Sequence, residues 1–302
     1  MYLRKTRLAP TPSGLLHLGN VISFLITVSL AKKHQAKILL RIDDLDQKRM
    51  KADYVQDIFD TLDFLEIPYD EGPRSLSDLQ QNHSQIHRLP HYRQLLDELA
   101  SNQLVFACNC SRKDIRESHP KGWYGGQCRT KNIPLSAQGV AWRLKTTGDS
   151  PLSMKQYPEA RQGYRMPDSM NFFIVKKKDG DPAYQLTSLA DDHHYGIDFI
   201  VRGQDLWESS CAQSYLSSLL PGDPLSNTTF FHHPLLMEGK RKLSKSAGAL
   251  AIRSMRKSGM KKEAILTKAA SFLGMQTPVR SLEEFIPAYL YRLENLNRHN
   301  PE

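Results

Sequence analysis

The first part of the chain predicts a strand, a turn, a helix and a second strand. Residues 2–9 form a short apolar run, residues 10–14 read Pro-Thr-Pro-Ser-Gly, and apolar residues recur at helical spacing through 16–33. Residues 37–42, Lys-Ile-Leu-Leu-Arg-Ile, predict the second strand. Elements in this order form a βαβ unit with parallel strands and a right-handed crossover. The pattern therefore predicts an α/β fold whose ligands bind at the carboxyl edge of a parallel sheet.

Composition and charge narrow the class of partner. The 302 residues are 40% hydrophobic and carry a net charge of +9, which favours an anionic partner. Nucleic acid is the favoured anionic partner, ahead of an anionic membrane surface. The alternative is a basic surface that binds no particular partner. No stretch approaches the roughly 20 apolar residues of a membrane span, and no apolar signal core follows the N-terminus. We expect a cytoplasmic protein with no membrane partner.

Turn residues and apolar spacing divide the rest of the chain. They predict helices at 54–65, 90–102, 206–220 and 261–274, and strands at 198–202 and 228–231. Residues 105–184 contain clustered cysteines and no long amphipathic pattern, so we interpret them as an insertion. Residues 191–194, Asp-Asp-His-His, have the composition of a metal cluster, but consecutive residues at a strand end point in different directions and rarely bind one ion. We therefore interpret them as strand-end residues with a structural or site-lining role, and a metal site is the alternative.

Two short polar segments have the chemistry of a phosphate site. No Gly-x-Gly-x-x-Gly is present, which disfavours a dinucleotide. Instead, His17 and Gly19 lie at the start of the first helix, where N–H groups and the positive dipole end suit a triphosphate. Far along the chain, Lys242 and Lys245 flank Ser244 in a cationic segment. Each segment alone also has an explanation without phosphate binding. The first could be a chance sequence at a helix start, and the second could be a solvated run of charges.

Together these segments resemble the two signatures of class I aminoacyl-tRNA synthetases. Further segments strengthen the resemblance, and they are 7–14, 41–46, 191–193 and 200–206. In this order they resemble the glutamyl-tRNA synthetase family, and within it the truncated glutamyl-queuosine tRNA(Asp) synthetases. Two positions depart from the family pattern: Asp43 stands where the family has Glu, and Asn20 where the first signature ends in His.

The resemblance implies residues for both substrates. It assigns glutamate to Arg7, Ala9, Thr11, Asp43, Tyr184 and Arg202. It assigns ATP to His17, Gly19, Asn20 and Lys245, and catalysis to His17, Gly19, Lys242 and Lys245. The chemistry is consistent, because Arg presents a planar fork that matches a carboxylate, and a carboxylate suits an ammonium.

The cysteine cluster predicts a structural zinc site. Cys108, Cys110 and Cys128 need one further ligand for a closed tetrahedral Zn²⁺ site. His119 is the usual kind of fourth ligand, whereas the resemblance implies Tyr124. Buried free thiols are the alternative.

The resemblance also implies the domain organisation and the reaction. The fold is a Rossmann-like class I catalytic domain, with halves at 1–104 and 191–252, a zinc-bearing insertion at 105–190 and a short helical C-terminal region at 253–302. ATP with Mg²⁺ would activate L-glutamate, and the product would modify queuosine in the anticodon stem-loop of tRNA(Asp). We expect a monomer without an anticodon-binding domain. The alternatives are a minimal glutamyl-tRNA synthetase that acylates the tRNA 3′ end and a non-catalytic tRNA-binding paralogue.

Overall fold

The computed structural model describes residues 3–147, 152–158, 161–235, 237–238, 241–242 and 251–299. Its strands, in chain order, are β1 Lys5–Leu8, β2 Lys37–Leu40, β3 Val105–Cys108, β4 Ala141–Leu144, β5 Leu152–Gln156, β6 Arg161–Tyr164, β7 Ile174–Lys176, β8 Phe199–Gly203, β9 Thr229–His233, β10 Met237–Glu238 and β11 Arg241–Lys242. Its α-helices are α1 Leu18–His34, α2 Ala52–Phe64, α3 Leu76–Asp78, α4 Leu89–Ser101, α5 Arg112–Ser118, α6 Tyr184–His194, α7 Trp207–Ser218, α8 Ile252–Lys257, α9 Lys262–Phe272 and α10 Leu282–His299.

The chain folds into two compact units that are both discontinuous in sequence. Unit 1 comprises 1–87, 199–204 and 232–302, and unit 2 comprises 88–198 and 205–231. The strand β9 begins in unit 2 and ends in unit 1. Within the described ranges, no helix combines the length and the apolar character that crossing a bilayer demands.

Unit 1 contains the predicted βαβ unit. The strands β1 and β2 pair in parallel along their whole lengths, and α1 connects them. Helix α1 is buried on most of its surface, because β1, β8, α9 and α10 all pack against it. Its buried hydroxyls are satisfied within the helix: Thr27 donates to the carbonyl of Ser23, and Ser29 to that of Leu25, both at 2.8 Å.

Unit 2 contains two small sheets. In one, β4 lies between β3 and β7 and pairs antiparallel with both. In the other, β5 pairs antiparallel with β6 and parallel with β9. The β3–β4–β7 sheet lies within the range 105–190 that was predicted to be an insertion, and the first cysteine, Cys108, ends β3.

One expectation about local structure needs correction. Residues 191–194 lie in the last turns of α6, not at a strand end. These four polar residues gave no helical pattern by themselves. The helix is recognised from the residues before them, because Leu186, Leu189 and Ala190 are buried in the core. Helix α10 lies within the C-terminal region 253–302 that was expected to be helical, although no bounds were predicted for it.

Candidate active site and candidate metal centre

Ala9 and Thr11, which were predicted to bind glutamate, lie near Asp43 at the carboxyl ends of β1 and β2. Beyond the paired strands, the N–H of Asp43 donates to the carbonyl of Pro10 at 3.0 Å. The main chain at Asp43 therefore runs beside Ala9, which is half-buried, and close to Thr11, which is exposed. This edge is where open parallel sheets bind ligands.

Two buried guanidinium groups belong to neighbouring strands of unit 1. Arg7 on β1 is 6% exposed, and its Nη1 donates to the carbonyl of Val201 on β8 at 3.2 Å. Arg202 follows Val201 and is 4% exposed. A guanidinium presents a planar fork that matches a carboxylate, so two of them on neighbouring strands are suited to an anionic ligand.

A histidine that the sequence analysis missed lies in the field of Arg202. Burial, reinforced by the charge of Arg202 and by His233, lowers the pKa of His232 to about 3. His232 is therefore a neutral imidazole at physiological pH. The sequence His232-His233-Pro234 at a strand end was the available signal.

Asp43 is engaged by a neighbour two residues earlier. Arg41 Nε lies 2.7 Å from Asp43 Oδ1 and Arg41 Nη2 lies 3.1 Å from Oδ2, a bidentate pair. The adjacent Asp44 has a different role, because its buried carboxylate accepts from Ser84 Oγ at 2.7 Å and from the N–H of Gln85 at 2.8 Å. The carboxylate of Asp43 is therefore paired with Arg41, and that of Asp44 fixes the segment at 84–85.

The start of α1 explains why Asn20 stands in the first signature. His17 is the N-cap, and its Nδ1 accepts from the N–H of Asn20 at 3.4 Å, while Asn20 Oδ1 accepts from the N–H of His17 at 3.1 Å. This reciprocal capping box satisfies two N–H groups at the helix start. A phosphate contact from His17 would therefore use Nε2, since Nδ1 serves the cap.

Of the second signature, residues 242–246, the structure describes only Lys242. Lys242 lies in β11, which pairs antiparallel with β10, whereas Ser244 and Lys245 lie outside the described residues. On the far side, Ala251 forms an antiparallel bridge with His17, and the N–H of Ile252 donates to the carbonyl of Leu16 at 2.9 Å. Ala251, five residues beyond the second signature, is therefore joined to His17 of the first signature.

A buried carboxylate on α2 fastens this junction. Asp57 is 1% exposed, and its Oδ2 accepts from the N–H of Leu16 at 3.0 Å. Its Oδ1 lies 3.5 Å from Nη2 of Arg256 on α8. Burial raises the pKa of Asp57, and the Leu16 hydrogen bond and Arg256 oppose that effect. One side chain thus holds both the turn before His17 and the helix after Ala251.

Replacing Asp57 with alanine should destabilise unit 1. Asp57→Ala leaves the Leu16 N–H buried without its acceptor and should lower the free energy of unfolding by about 2 kcal/mol. Urea denaturation followed by circular dichroism measures the change. Asp53→Ala on the same helix is the matched control, because its side chain is 80% exposed and lies 4.0 Å from Arg253. Equal losses in the two variants would contradict the assigned role.

Tyr184, predicted to contact glutamate, belongs to unit 2. It is the first residue of α6 and is 45% exposed.

The last turns of α6 contain Asp191 and Asp192, and Asp191 is fully buried. Its Oδ1 and Oδ2 accept from Arg88 at 2.7 and 3.0 Å, and Tyr92 donates to Oδ1 at 2.5 Å. Asp191 therefore holds α6 to α4 in the core of unit 2.

The three clustered cysteines converge at the end of β3. The Sγ atoms of Cys108, Cys110 and Cys128 all lie within 4.8 Å of one another, and the Cys110–Cys128 distance is 3.4 Å. Burial opposes ionisation of Cys128, but hydrogen bonds from Cys110 and Tyr124 lower its pKa to about 7. Three thiols that share one small space are suited to a thiophilic ion.

The structure separates the two candidates for the fourth ligand. Tyr124 is packed in the cluster, and its hydroxyl oxygen accepts from the N–H of Cys128 at 2.9 Å. His119 stacks on Trp123, and its Nδ1 accepts from the N–H of Lys121 at 3.2 Å. Among the described His, Cys, Asp and Glu side chains, only the cysteines form this group. The geometry favours Tyr124 over His119.

Comparison with known proteins identifies the fold. Residues 4–290 match the family described as tRNA synthetases class I (E and Q), catalytic domain. A solved glutamate-tRNA synthetase from Elizabethkingia anophelis superposes with a TM-score of 0.75 at 20% identity, covering 94% of this chain and 65% of that one. This likeness shows a class I synthetase catalytic fold.

Two curated relatives illustrate the range of matches. The Glutamyl-Q tRNA(Asp) synthetase of Verminephrobacter eiseniae is 33% identical over 89% of this chain and 89% of its own length. The Glutamate–tRNA ligase 1 of Nitrosococcus oceani is 27% identical over 87% of this chain but only 55% of its own length. The chain thus spans little more than half of that ligase.

Proposed function

The chain belongs to the family of class I tRNA synthetase catalytic domains for glutamate and glutamine, and from that premise we propose that it activates glutamate with ATP and transfers it to queuosine of tRNA(Asp). Relatives named Glutamyl-Q tRNA(Asp) synthetase support the acceptor. Three of them match at 30–33% identity over 88–92% of their own lengths.

The observation that carries the first step is the sheet edge in unit 1. Arg7 and Arg202 are buried cations on adjacent strands, and Asp43 lies beside residues 9–11. Glutamate carries two carboxylates and one ammonium, so a pocket needs donors for the anions and an acceptor for the cation. Ala9 leaves room beside the strand, and Thr11 offers a hydroxyl.

Asp43 reaches an ammonium differently from a glutamate at the same position. Its side chain is one methylene shorter, and Arg41 already holds both of its oxygens. A carboxylate oxygen has more than one lone pair, so Oδ1 and Oδ2 can each accept a second hydrogen bond. We infer that Asp43 accepts from the ammonium directly or through one water, with Arg41 fixing its orientation.

ATP would be bound at the start of α1. The N–H groups around Gly19 and the positive end of α1 suit its phosphates, and Nε2 of His17 and the amine of Lys245 would stabilise charge as it develops. A glutamate carboxylate oxygen attacks the α-phosphorus, an O–P bond forms, and pyrophosphate leaves with the electron pair of the broken bond. A hydroxyl of queuosine then attacks the acyl carbon and releases AMP.

We also propose a structural zinc ion held by Cys108, Cys110, Cys128 and Tyr124. The fit rests on the shared space of the three Sγ atoms and on the Tyr124 hydroxyl beside Cys128. When bound, zinc would link the end of β3 to the segment at 124–128. It takes no part in either chemical step.

Acylation of the tRNA 3′ end is the second candidate. Glutamate–tRNA ligases match this chain at similar identity, 27% and 29% in two cases, so the comparisons support both acceptors. The two candidates share the activation step and differ only in the nucleophile that attacks the adenylate.

One labelling experiment tests the activity and distinguishes these acceptors. The chain is incubated with ATP, labelled glutamate and tRNA(Asp), with and without queuosine. A matched tRNA lacks the terminal adenosine and so cannot be charged at its 3′ end. We expect label only on queuosine-containing tRNA(Asp), with or without the terminal adenosine, and on the anticodon fragment after nuclease digestion.

Other outcomes would contradict the proposal. Labelling that needs the terminal adenosine selects the 3′-end reaction. Tight tRNA binding without glutamate-dependent pyrophosphate exchange, measured with and without tRNA, would select a binding paralogue.

A further inference from the structure

Arg143 on β4 is a buried cation with no acidic partner among the residues that the structure describes. It is 6% exposed, and among the described residues no carboxylate lies within ion-pair distance of it. Its Nη1 donates to the carbonyl of Phe172 at 2.9 Å, whereas its Nε has no hydrogen-bond partner in that same part of the chain. A buried charge without a counter-charge is strongly unfavourable, so this placement needs an explanation.

The strand register places Arg143 against the cysteine cluster. On β3, Phe106 and Cys108 are two residues apart and share one face. Phe106 is the register partner of Arg143. The Arg143 guanidinium carbon lies 3.7 Å from the centre of the Tyr124 ring, and Tyr124 stacks on Phe106. The cation is thus directed at the ring that the proposed zinc site uses as a ligand.

A zinc ion with this ligand set would supply the missing counter-charge. Three thiolates and one phenolate around Zn²⁺ carry a net charge of about −2. The surroundings are apolar, with Phe106 and Phe172 packed on the cluster, so water compensates this charge poorly. Stacking on a neutral phenol ring alone compensates a buried guanidinium only in part.

We propose that Arg143 is the charge-balancing residue of the zinc centre. It is a positioning residue that touches the ligand Tyr124 and not the metal, and the inference rests on the zinc site proposed above. Arg143 favours the loaded centre, with its anionic ligands, and disfavours the empty one.

Zinc affinity in three variants tests this role. Competition with a chromophoric chelator measures the zinc dissociation constant of wild type, Arg143→Met, Arg143→Lys and Arg129→Met. Arg129 is the matched control, because its guanidinium lies 5.7 Å over Phe172 and its side chain is exposed. We expect Arg143→Met to weaken zinc binding at least tenfold, Arg143→Lys to retain most of the affinity, and Arg129→Met to resemble wild type.

Thermal unfolding separates charge balance from packing. In the apo protein, Arg143→Met removes an uncompensated buried charge, so its midpoint should equal or exceed that of wild type. With zinc, the rise in midpoint should be smaller than in wild type. A residue that only packs would lower both midpoints, and that result would overturn the inference.

A double-mutant cycle with Tyr124→Phe locates the interaction. If Arg143 acts through the Tyr124 oxygen, the Arg143→Met effect on zinc affinity should shrink to less than about threefold in the Tyr124→Phe background. Fully additive losses would overturn the inference. Wild type that binds no zinc would overturn both the zinc site and the role of Arg143, whereas zinc binding unchanged by Arg143→Met would overturn only the latter.

Discussion

Arg202→Met should reduce glutamate-dependent pyrophosphate exchange by about a thousandfold in kcat/KM for glutamate. A buried cation that binds a carboxylate contributes roughly 2–5 kcal/mol when its partner is otherwise left unpaired, and each 1.4 kcal/mol is a factor of ten. Methionine fills similar space without the charge. The KM for ATP should stay within about twofold, because the proposed ATP groups lie at the start of α1.

Two further variants serve as controls for the Arg202→Met result. Arg202→Lys keeps the charge but loses the planar fork, so we expect an intermediate loss. Arg253→Met on α8 removes a surface cation whose side chain is 35% exposed and should leave exchange unchanged. Exchange within tenfold of wild type in Arg202→Met would remove Arg202 from the glutamate pocket.

The pKa of His232 provides a measurement of the nearby Arg202 charge that needs no substrate. The charge of Arg202 helps to hold the pKa of His232 at about 3, although burial is the larger cause. Arg202→Met should therefore raise that pKa, and burial should still keep it below its usual range. Titration by NMR measures the shift, and an unchanged His232 in a folded variant would show that the two side chains are not close.

The sequence predicted those elements whose local pattern and packing agree. Helix α1 was predicted from apolar residues at helical spacing and from a helix start around His17, and the structure confirms it with His17 as the N-cap of Leu18–His34. The bounds of α10, which lies in the predicted helical region 253–302, were not predicted, because Pro287 lies inside the helix and interrupts the expected backbone hydrogen bonds. Burial of Phe285 and Tyr289 stabilises that helix, and burial depends on contacts distant in sequence.

In the candidate sites too, features set by nearby residues were predictable, whereas features set by distant residues were not. The three cysteines were predictable as a cluster because they are close in sequence and chemically alike. The roles of Asp57 and Arg143 were not, since each depends on partners that only the tertiary register supplies. The Arg41–Asp43 pair was also missed, although its members are two residues apart, because residues so spaced pair only in certain backbone conformations. Residue type can be read from sequence, whereas the partner of a charged group cannot.

Asp191→Ala should be the most destabilising single change considered for unit 2. It leaves the guanidinium of Arg88, whose side chain is 8% exposed, without its carboxylate and removes the acceptor of the Tyr92 hydroxyl. Breaking a buried pair in this way costs about 3–5 kcal/mol, a large part of the 5–15 kcal/mol that stabilises a typical domain. Urea denaturation should show the loss, or the variant should be recovered largely insoluble.

The exposed pair of Lys177 and Asp181 provides the control within the same unit. Their charged atoms are 3.1 Å apart, but the two side chains are 36% and 45% exposed, so Asp181→Ala should cost less than about 1 kcal/mol. Arg88→Met combined with Asp191→Leu removes both buried charges together. The double variant should be more stable than Asp191→Ala, because the dominant penalty is the stranded Arg88 cation and not the loss of the pair. A double variant less stable than Asp191→Ala would show instead that the pair itself contributes most of the stability, and that α6 and α4 need it to pack.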